Sequence, residues 1–315
     1  SSLTLTVMLQ FMPDMGEAFY WFNGGVGNVF IYSLMALSAA LLVRLYRTES
    51  RGGAAGLTAV LLLCMAALGG GSYSGGLFSL CALACVLAWL FGKRRPRRWR
   101  FLLCFAVLAA GFVYSMSAPG NTVRAGMIGY SCPPVKAVAR SLYEGVILMA
   151  GYVRFPLLGL TALVSPLLWR AAKDSPYTFR HPFWLIFLTA GLFCAQLTPP
   201  IYSIASIGDG RIQDTYWLCF VVLWLLWVYV LLGFAARKWP DAKPERLSRA
   251  LVIGGLCLSM AGCLGCRYPG DTLYGVQNMT GNSAWLSLAS GEAAQYDREM
   301  TERERLLNDD TQPVV

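Results

Sequence analysis

Eight long apolar stretches run through the chain, at Gly25–Leu45, Ala54–Gly70, Gly75–Phe91, Phe101–Ser117, Val146–Trp169, Phe183–Leu197, Tyr216–Ala236 and Ala250–Cys266. A helix needs about 20 apolar residues to cross a bilayer, and it must satisfy every backbone N–H and C=O within itself. So many uninterrupted apolar runs predict an all-α, polytopic helical membrane protein with about eight transmembrane helices. The second and third stretches are short, separated by a turn of small residues at Gly69–Gly71 and Ser72. Composition excludes the alternatives: 56% of residues are apolar and only 14% are charged, about half the usual charged share. A disordered chain or an ordinary soluble enzyme is not built this way.

The charges fix an orientation. Seventeen of the 26 Lys and Arg residues lie in four alternate loops: Arg44–Arg51, Lys93–Arg100, Arg170–Arg180 and Arg237–Arg249. Only four acids share those loops, so they carry a net +13 while the rest of the chain carries −4. The positive-inside rule puts the basic loops in the cytoplasm and both ends of the chain outside. The total of +9 therefore belongs to orientation and anionic lipid, and not to nucleic acid. The single histidine, His181, rules out a His-based metal site or a Ser-His-Asp triad. Most cysteines lie inside apolar stretches, where they pack as small apolar residues; Cys263 and Cys266 form a CxxC near one membrane face. The first residue is Ser1, with no leader before the first stretch, so the chain is expected to begin inside a longer protein.

Polar residues placed against the membrane's preference are the functional candidates. They collect on the face opposite the basic loops. Glu17 and Asn23 flank the aromatic run Phe19-Tyr20-Trp21-Phe22, which suits an interfacial belt. Asn121 follows Pro119-Gly120, where backbone amides can form an anion nest, and Arg124 follows close enough to close over the same anion. Arg154 lies inside the fifth stretch. Pro156 offers a second reading there, with Pro134–Tyr152 an amphipathic helix on the outer surface and Pro156–Trp169 the span. Asp209, Arg211 and Asp214 form a turn in which Arg211 pairs with a neighbouring acid. An acid–arginine set of this kind suits a lipid phosphate or pyrophosphate joined to a polar group such as a sugar. No nucleotide-binding loop is present.

Three stretches carry a family resemblance: Glu17-Ala18-Phe19-Tyr20-Trp21-Phe22-Asn23-Gly24, Ala118-Pro119-Gly120-Asn121-Thr122-Val123-Arg124, and Ser290-Gly291-Glu292-Ala293-Ala294-Gln295-Tyr296-Asp297. Through them the chain resembles a bacterial family of uncharacterised multi-pass membrane proteins related to the GT-C-type glycosyltransferases. The resemblance implies a GT-C-like fold in the bacterial cytoplasmic membrane. It also implies action at the outer face on a polyprenyl-phosphate-linked sugar donor and a glycan or lipid acceptor, in cell-envelope glycan assembly. The catalytic acids of such enzymes lie in the first outer loop, and here they are expected upstream of Ser1. Glu17, Asn23, Asn121, Arg124, Arg154 and Arg211 are then the substrate-binding candidates. No cofactor is evident, and no ligand set in the chain supports a divalent metal. A lipid-linked-saccharide flippase and a non-catalytic membrane protein are the alternatives.

Residues 1–266 form the transmembrane region and 267–315 an extracytoplasmic tail. In the tail, Trp285, Ala289, Ala293, Tyr296, Met300 and Leu307 recur at helical spacing. They predict one amphipathic helix over about Ala284–Leu307, resting on the outer loops.

Overall fold

The computed structural model describes residues 2–121, 123, 132–208, 210–239, 245–264, 266–267, 273–274 and 279–308, with the side chains of 245–248, 263–264, 266–267 and 273–274 left aside. A short helix α1 (Ser2–Gln10) leads into the first long one, α2 (Phe22–Arg47). There follow α3 (Arg51–Gly71), α4 (Tyr73–Gly92), α5 (Arg98–Met116), α6 (Pro134–Tyr152) and α7 (Phe155–Lys173). After these come α8 (Pro182–Ala195), α9 (Thr198–Ile204), α10 (Gly210–Lys238) and α11 (Glu245–Leu264). The tail holds a two-residue antiparallel pairing of Cys266–Arg267 with Leu273–Tyr274, then α12 (Thr280–Ser290) and α13 (Glu292–Leu307).

Among the described residues seven helices are long and apolar enough to cross a membrane: α2, α3, α4, α5, α7, the joined α8 and α9, and α10. The eighth apolar stretch is also helical, with a shorter apolar segment at Arg249–Gly262. The chain is a polytopic helical membrane protein. Large apolar side chains such as Leu63, Val113, Trp184 and Phe187 stand exposed on these helices, as a lipid-facing surface requires.

Two departures from the sequence pattern have plain causes. The fifth stretch is not one span. Val153 and Arg154 separate α6 from α7, and Pro156 sits in the first turn of α7, where its missing N–H has no helical partner to lose. The sixth stretch does not stop at Pro199–Pro200; those prolines open α9, which carries the span on to Ile204. In the tail the predicted single helix is broken at Gly291, whose φ of +82° ends α12 in a left-handed cap.

The helices pack around two cores. One lies among α2, α3, α4 and α5, with Leu61, Leu68, Leu90, Cys104 and Leu108 fully buried. The α3 and α5 backbones come close at Gly69, where an added Cβ would meet the Leu108 carbonyl of α5 at 2.7 Å. The other core lies among α1 and α6 to α10, with Tyr152, Phe193, Tyr216, Trp217 and Phe220 at its centre. Against α7 lies α11, with Gly159 and Gly255 facing each other so that the two backbones nearly touch.

The start of α10 is the hub. Eight consecutive residues, Asp214–Val221, are buried on every side. The Trp217 indole N–H donates to the Met8 carbonyl of α1 (3.0 Å), the Tyr32 hydroxyl donates to the Leu218 carbonyl (3.0 Å), and the Tyr152 hydroxyl donates to the Gln213 carbonyl (3.2 Å). Helix α6 holds to this end of the molecule, away from the basic turns: Cys132 N–H reaches the Tyr202 carbonyl and Arg140 reaches the Ala205 carbonyl.

Candidate functional site

Four ionisable side chains, Asp14, Glu17, Arg211 and Asp214, converge where α1 gives way to α2 and meets the start of α10. The chain leaves α1 at Gln10, winds one π-helical turn over Gly16–Tyr20, breaks at the extended Trp21, and re-enters a helix whose segment Gly25–Phe30 is again π-wound. Short π segments of this sort are frequent at functional sites. They need close backbone approach, and Gly24 supplies it: a Cβ there would overlap the Glu17 carbonyl oxygen. This folding carries Asp14 and Glu17 against α10.

The links are short. Asp214 Oδ1 accepts the Asp14 backbone N–H at 2.7 Å. Asp14 Oδ1 accepts the Glu17 N–H at 3.0 Å, capping the π turn. Glu17 Oε2 accepts the Arg211 backbone N–H at 2.9 Å, and its Oε1 lies 3.7 Å from the Arg211 guanidinium. That guanidinium rests over the Trp21 ring at 4.9 Å, a cation–π contact. Gly210 is part of the same fit, because a Cβ there would stand 2.7 Å from Asp14 Oδ2.

The three carboxylates have different surroundings. Asp214 is fully buried, and its Oδ2 has no hydrogen-bond partner among the described residues. A buried carboxylate oxygen left unsatisfied is costly. Glu17 is committed to Arg211 through both oxygens. Asp14 is half-buried, with one oxygen on the Glu17 amide and the other beside Gly210. The three are joined through backbone N–H groups and do not face one point; among the described residues no three His, Cys, Asp or Glu side chains are grouped to hold a metal ion.

The sequence candidates divide. Glu17 and Arg211 meet, although 194 residues separate them. Arg211 pairs with this distant acid, and Asp214 lies at the core instead of in a solvated turn. Asn23 is exposed on the outside of the first turn of α2. Asn121 is elsewhere. Its amide donates to the Ser115 and Met116 carbonyls at the end of α5 (3.0 Å each), and its Oδ1 lies 3.0 Å from the Tyr73 hydroxyl. It closes a helix end, which accounts for it without an anion. Arg154 is exposed, with its Nε on the Gly151 carbonyl at 2.7 Å and its backbone at the start of α7. Arg124 and Asp209 lie outside the described residues, as do the side chains of Cys263 and Cys266. Asp14 escaped sequence reading because Phe11-Met12-Pro13-Asp14 reads as an ordinary turn. The available signal was the Asp14-x-x-Glu17 spacing directly before the glycine-rich helix entry.

The tail touches the same region at the start of α12. Thr280 Oγ1 donates to the Leu9 carbonyl at 2.9 Å, and the Gly281 N–H donates to Gln10 Oε1 at 3.0 Å. Neither α12 nor α13 has a buried residue, and Trp285, Tyr296 and Leu307 are exposed.

The fold and this cluster define a multi-pass helical membrane protein with a carboxylate–arginine site at one end of its central helix. Compared with family models, with curated proteins and with solved structures, the chain matches none.

Proposed function

We propose that the chain is a membrane glycosyltransferase-like enzyme whose site is the Asp14, Glu17, Arg211 and Asp214 cluster. Its substrate class is a sugar carried on a polyprenyl phosphate, transferred to a hydroxyl of a glycan or lipid acceptor at the face opposite the basic loops. The observation that carries the reading is the placement of an accessible carboxylate beside an arginine at the head of an apolar bundle.

The roles follow from the surroundings. Asp14 is the base, since it is partly exposed, unlike Asp214, and only one of its carboxylate oxygens accepts a hydrogen bond among the described residues. It takes the proton of the acceptor hydroxyl. The acceptor oxygen bonds to the anomeric carbon while the bond from that carbon to the phosphate oxygen breaks, and the lipid phosphate leaves with the electron pair. The Arg211 guanidinium, held by Glu17 and Trp21, supplies the positive charge that meets that phosphate. Asp214 holds the Asp14 backbone in place and is too deep to meet substrate. The aromatic side chains of Phe19, Tyr20 and Phe22, exposed beside the cluster, suit the lipid part of a donor.

A transport path would need polar groups continued through the bundle. The hydroxyls of the half-buried Thr161 and the buried Thr189 are instead taken up by the Trp224 and Trp227 indoles and by their own helix carbonyls. That supports the enzyme over the flippase.

The test is a vesicle assay with the whole protein and a radiolabelled polyprenyl-phosphate sugar. Asp14→Asn is expected to slow loss of label from the lipid phase by about 10²–10⁴-fold, the usual worth of a general base. Asp14→Asn turnover equal to wild type overturns the assignment.

A further inference from the structure

Far from that cluster, at the basic end of the molecule, α2, α3, α4 and α5 leave a cavity of about 490 Å³ between them. This lies within the range of small-molecule sites, about 300–1,000 Å³. Its walls are almost wholly apolar and include Met35, Leu42, Val43, Ala82, Val86 and Trp89. The lining runs from Met35 to Arg47 along α2 and from Phe78 to Leu90 along α4. At 1.5 Å per residue each wall is about 18 Å long, close to the depth of a single leaflet, half of the ~30 Å hydrocarbon core. The groove is as long as one acyl chain is deep.

Its charged end is cationic. Arg47 lines the mouth, is exposed, and has no hydrogen bond or ion pair among the described residues. Arg95 lies over the ring of the wall residue Trp89 at 5.4 Å, and Arg97 reaches the carbonyl of the wall residue Tyr46. The acid nearest in sequence is Glu49, two residues beyond Arg47 and itself exposed. The turn that presents the last two arginines is conformationally costly: Arg94 and Arg97 have φ of 48° and 62°, a region that Gly or Asn occupies more cheaply. Orientation alone needs positive charge somewhere in the loop. It does not need Arg97 at a left-handed position with its side chain on the rim of an apolar groove.

From this we infer that the groove is a binding site for one anionic phospholipid of the leaflet that meets the basic turns, with an acyl chain along α2 and α4 and its phosphate among Arg47, Arg95 and Arg97. Basic pockets between transmembrane helices recognise anionic headgroups in this way, and arginine gives bidentate contact to phosphate oxygens. The inference is independent of the transfer reading, because the groove lies at the opposite end of the bundle from Asp14.

The experiment is native mass spectrometry of the whole protein released from nanodiscs holding equal amounts of phosphatidylglycerol and phosphatidylcholine. Wild type is expected to retain one phosphatidylglycerol in preference to phosphatidylcholine. Each arginine near an anionic headgroup contributes about a fivefold preference, so Arg47→Ala with Arg95→Ala is expected to reduce it about twenty-five-fold. Both arginines are exposed, and their removal leaves the core intact. Ala82→Phe fills the groove and is expected to abolish retention of either lipid with the arginines in place. Ala39→Phe, at an exposed position of the α2 wall, is expected to do likewise, and it keeps the test decisive should Ala82→Phe fail to fold. Equal retention of the two lipids by wild type, an unchanged preference in the double arginine variant, or full retention in the folded groove-filling variant would each overturn the site.

Discussion

The pairing of Glu17 with Arg211 ties the first described loop to the central helix, and a double-mutant cycle on it is the most direct test of the site. The two side chains are 35% and 30% exposed and their charges are 3.7 Å apart. At an effective dielectric of 20 the bare attraction is about 4.5 kcal/mol, and in water about 1 kcal/mol. One-third exposure and the entropy of holding two long side chains bring the expected coupling to about 1 kcal/mol. The singles are expected to be unequal. Arg211→Ala removes the ion pair and the contact over Trp21, for a cost of about 2 kcal/mol. It keeps the bond from the Arg211 backbone N–H to Glu17. Glu17→Ala removes the ion pair and that charge-assisted backbone bond together, which costs about 3 kcal/mol. The double variant then loses about 4 kcal/mol, about 1 less than the sum. Equilibrium unfolding in mixed detergent micelles reads all four corners. A coupling below about 0.3 kcal/mol would refute the pairing, and a Glu17→Ala cost no greater than the coupling itself, about 1 kcal/mol, would refute the backbone bond.

Three further outcomes are expected. In sealed vesicles, Asn23→Cys and Pro96→Cys label from opposite sides with an impermeant maleimide; labelling of both from one side would break the alternation of the helices. Gly210→Val places a branched side chain against Asp14 Oδ2 and is expected to destabilise the protein by about 1–3 kcal/mol and abolish transfer, whereas Gly254→Ala, with nothing within 4 Å of the new Cβ, is expected to be neutral or mildly stabilising in the same melting assay. Asn121→Ala is expected to cost about 1–2 kcal/mol and to speed hydrogen exchange at the end of α5 without changing transfer; loss of transfer at unchanged stability would return Asn121 to the ligand site.

What the sequence made legible is the part that repeats. Spans show because apolar length is needed for each helix separately. Pro156 exposed the break between α6 and α7 because a proline acts on its own turn. The site did not show in this way, and the reason is distance. Glu17 and Arg211 were each conspicuous as charges beside apolar runs, yet nothing local in either says that they meet. Asp14 and Asp214 were less conspicuous still, because a carboxylate in a turn is ordinary until another element buries it. Asn121 and Arg154 drew attention for the same reason as Glu17, but the Arg154 Nε is spent close by on Gly151 and the Asn121 amide nitrogen on the end of α5, with only the Asn121 oxygen meeting another helix, at the Tyr73 hydroxyl. The distinction is physical. A polar side chain near a helix terminus is cheap, because orphan backbone groups are waiting for it within a turn. A polar side chain that reaches another helix must be met there by a partner and by room, and the room is what the glycines record. Gly24 leaves no space for a Cβ beside the Glu17 backbone carbonyl, and Gly210 leaves none beside the Asp14 carboxylate, so these two glycines record the close approach that carries both acids against α10.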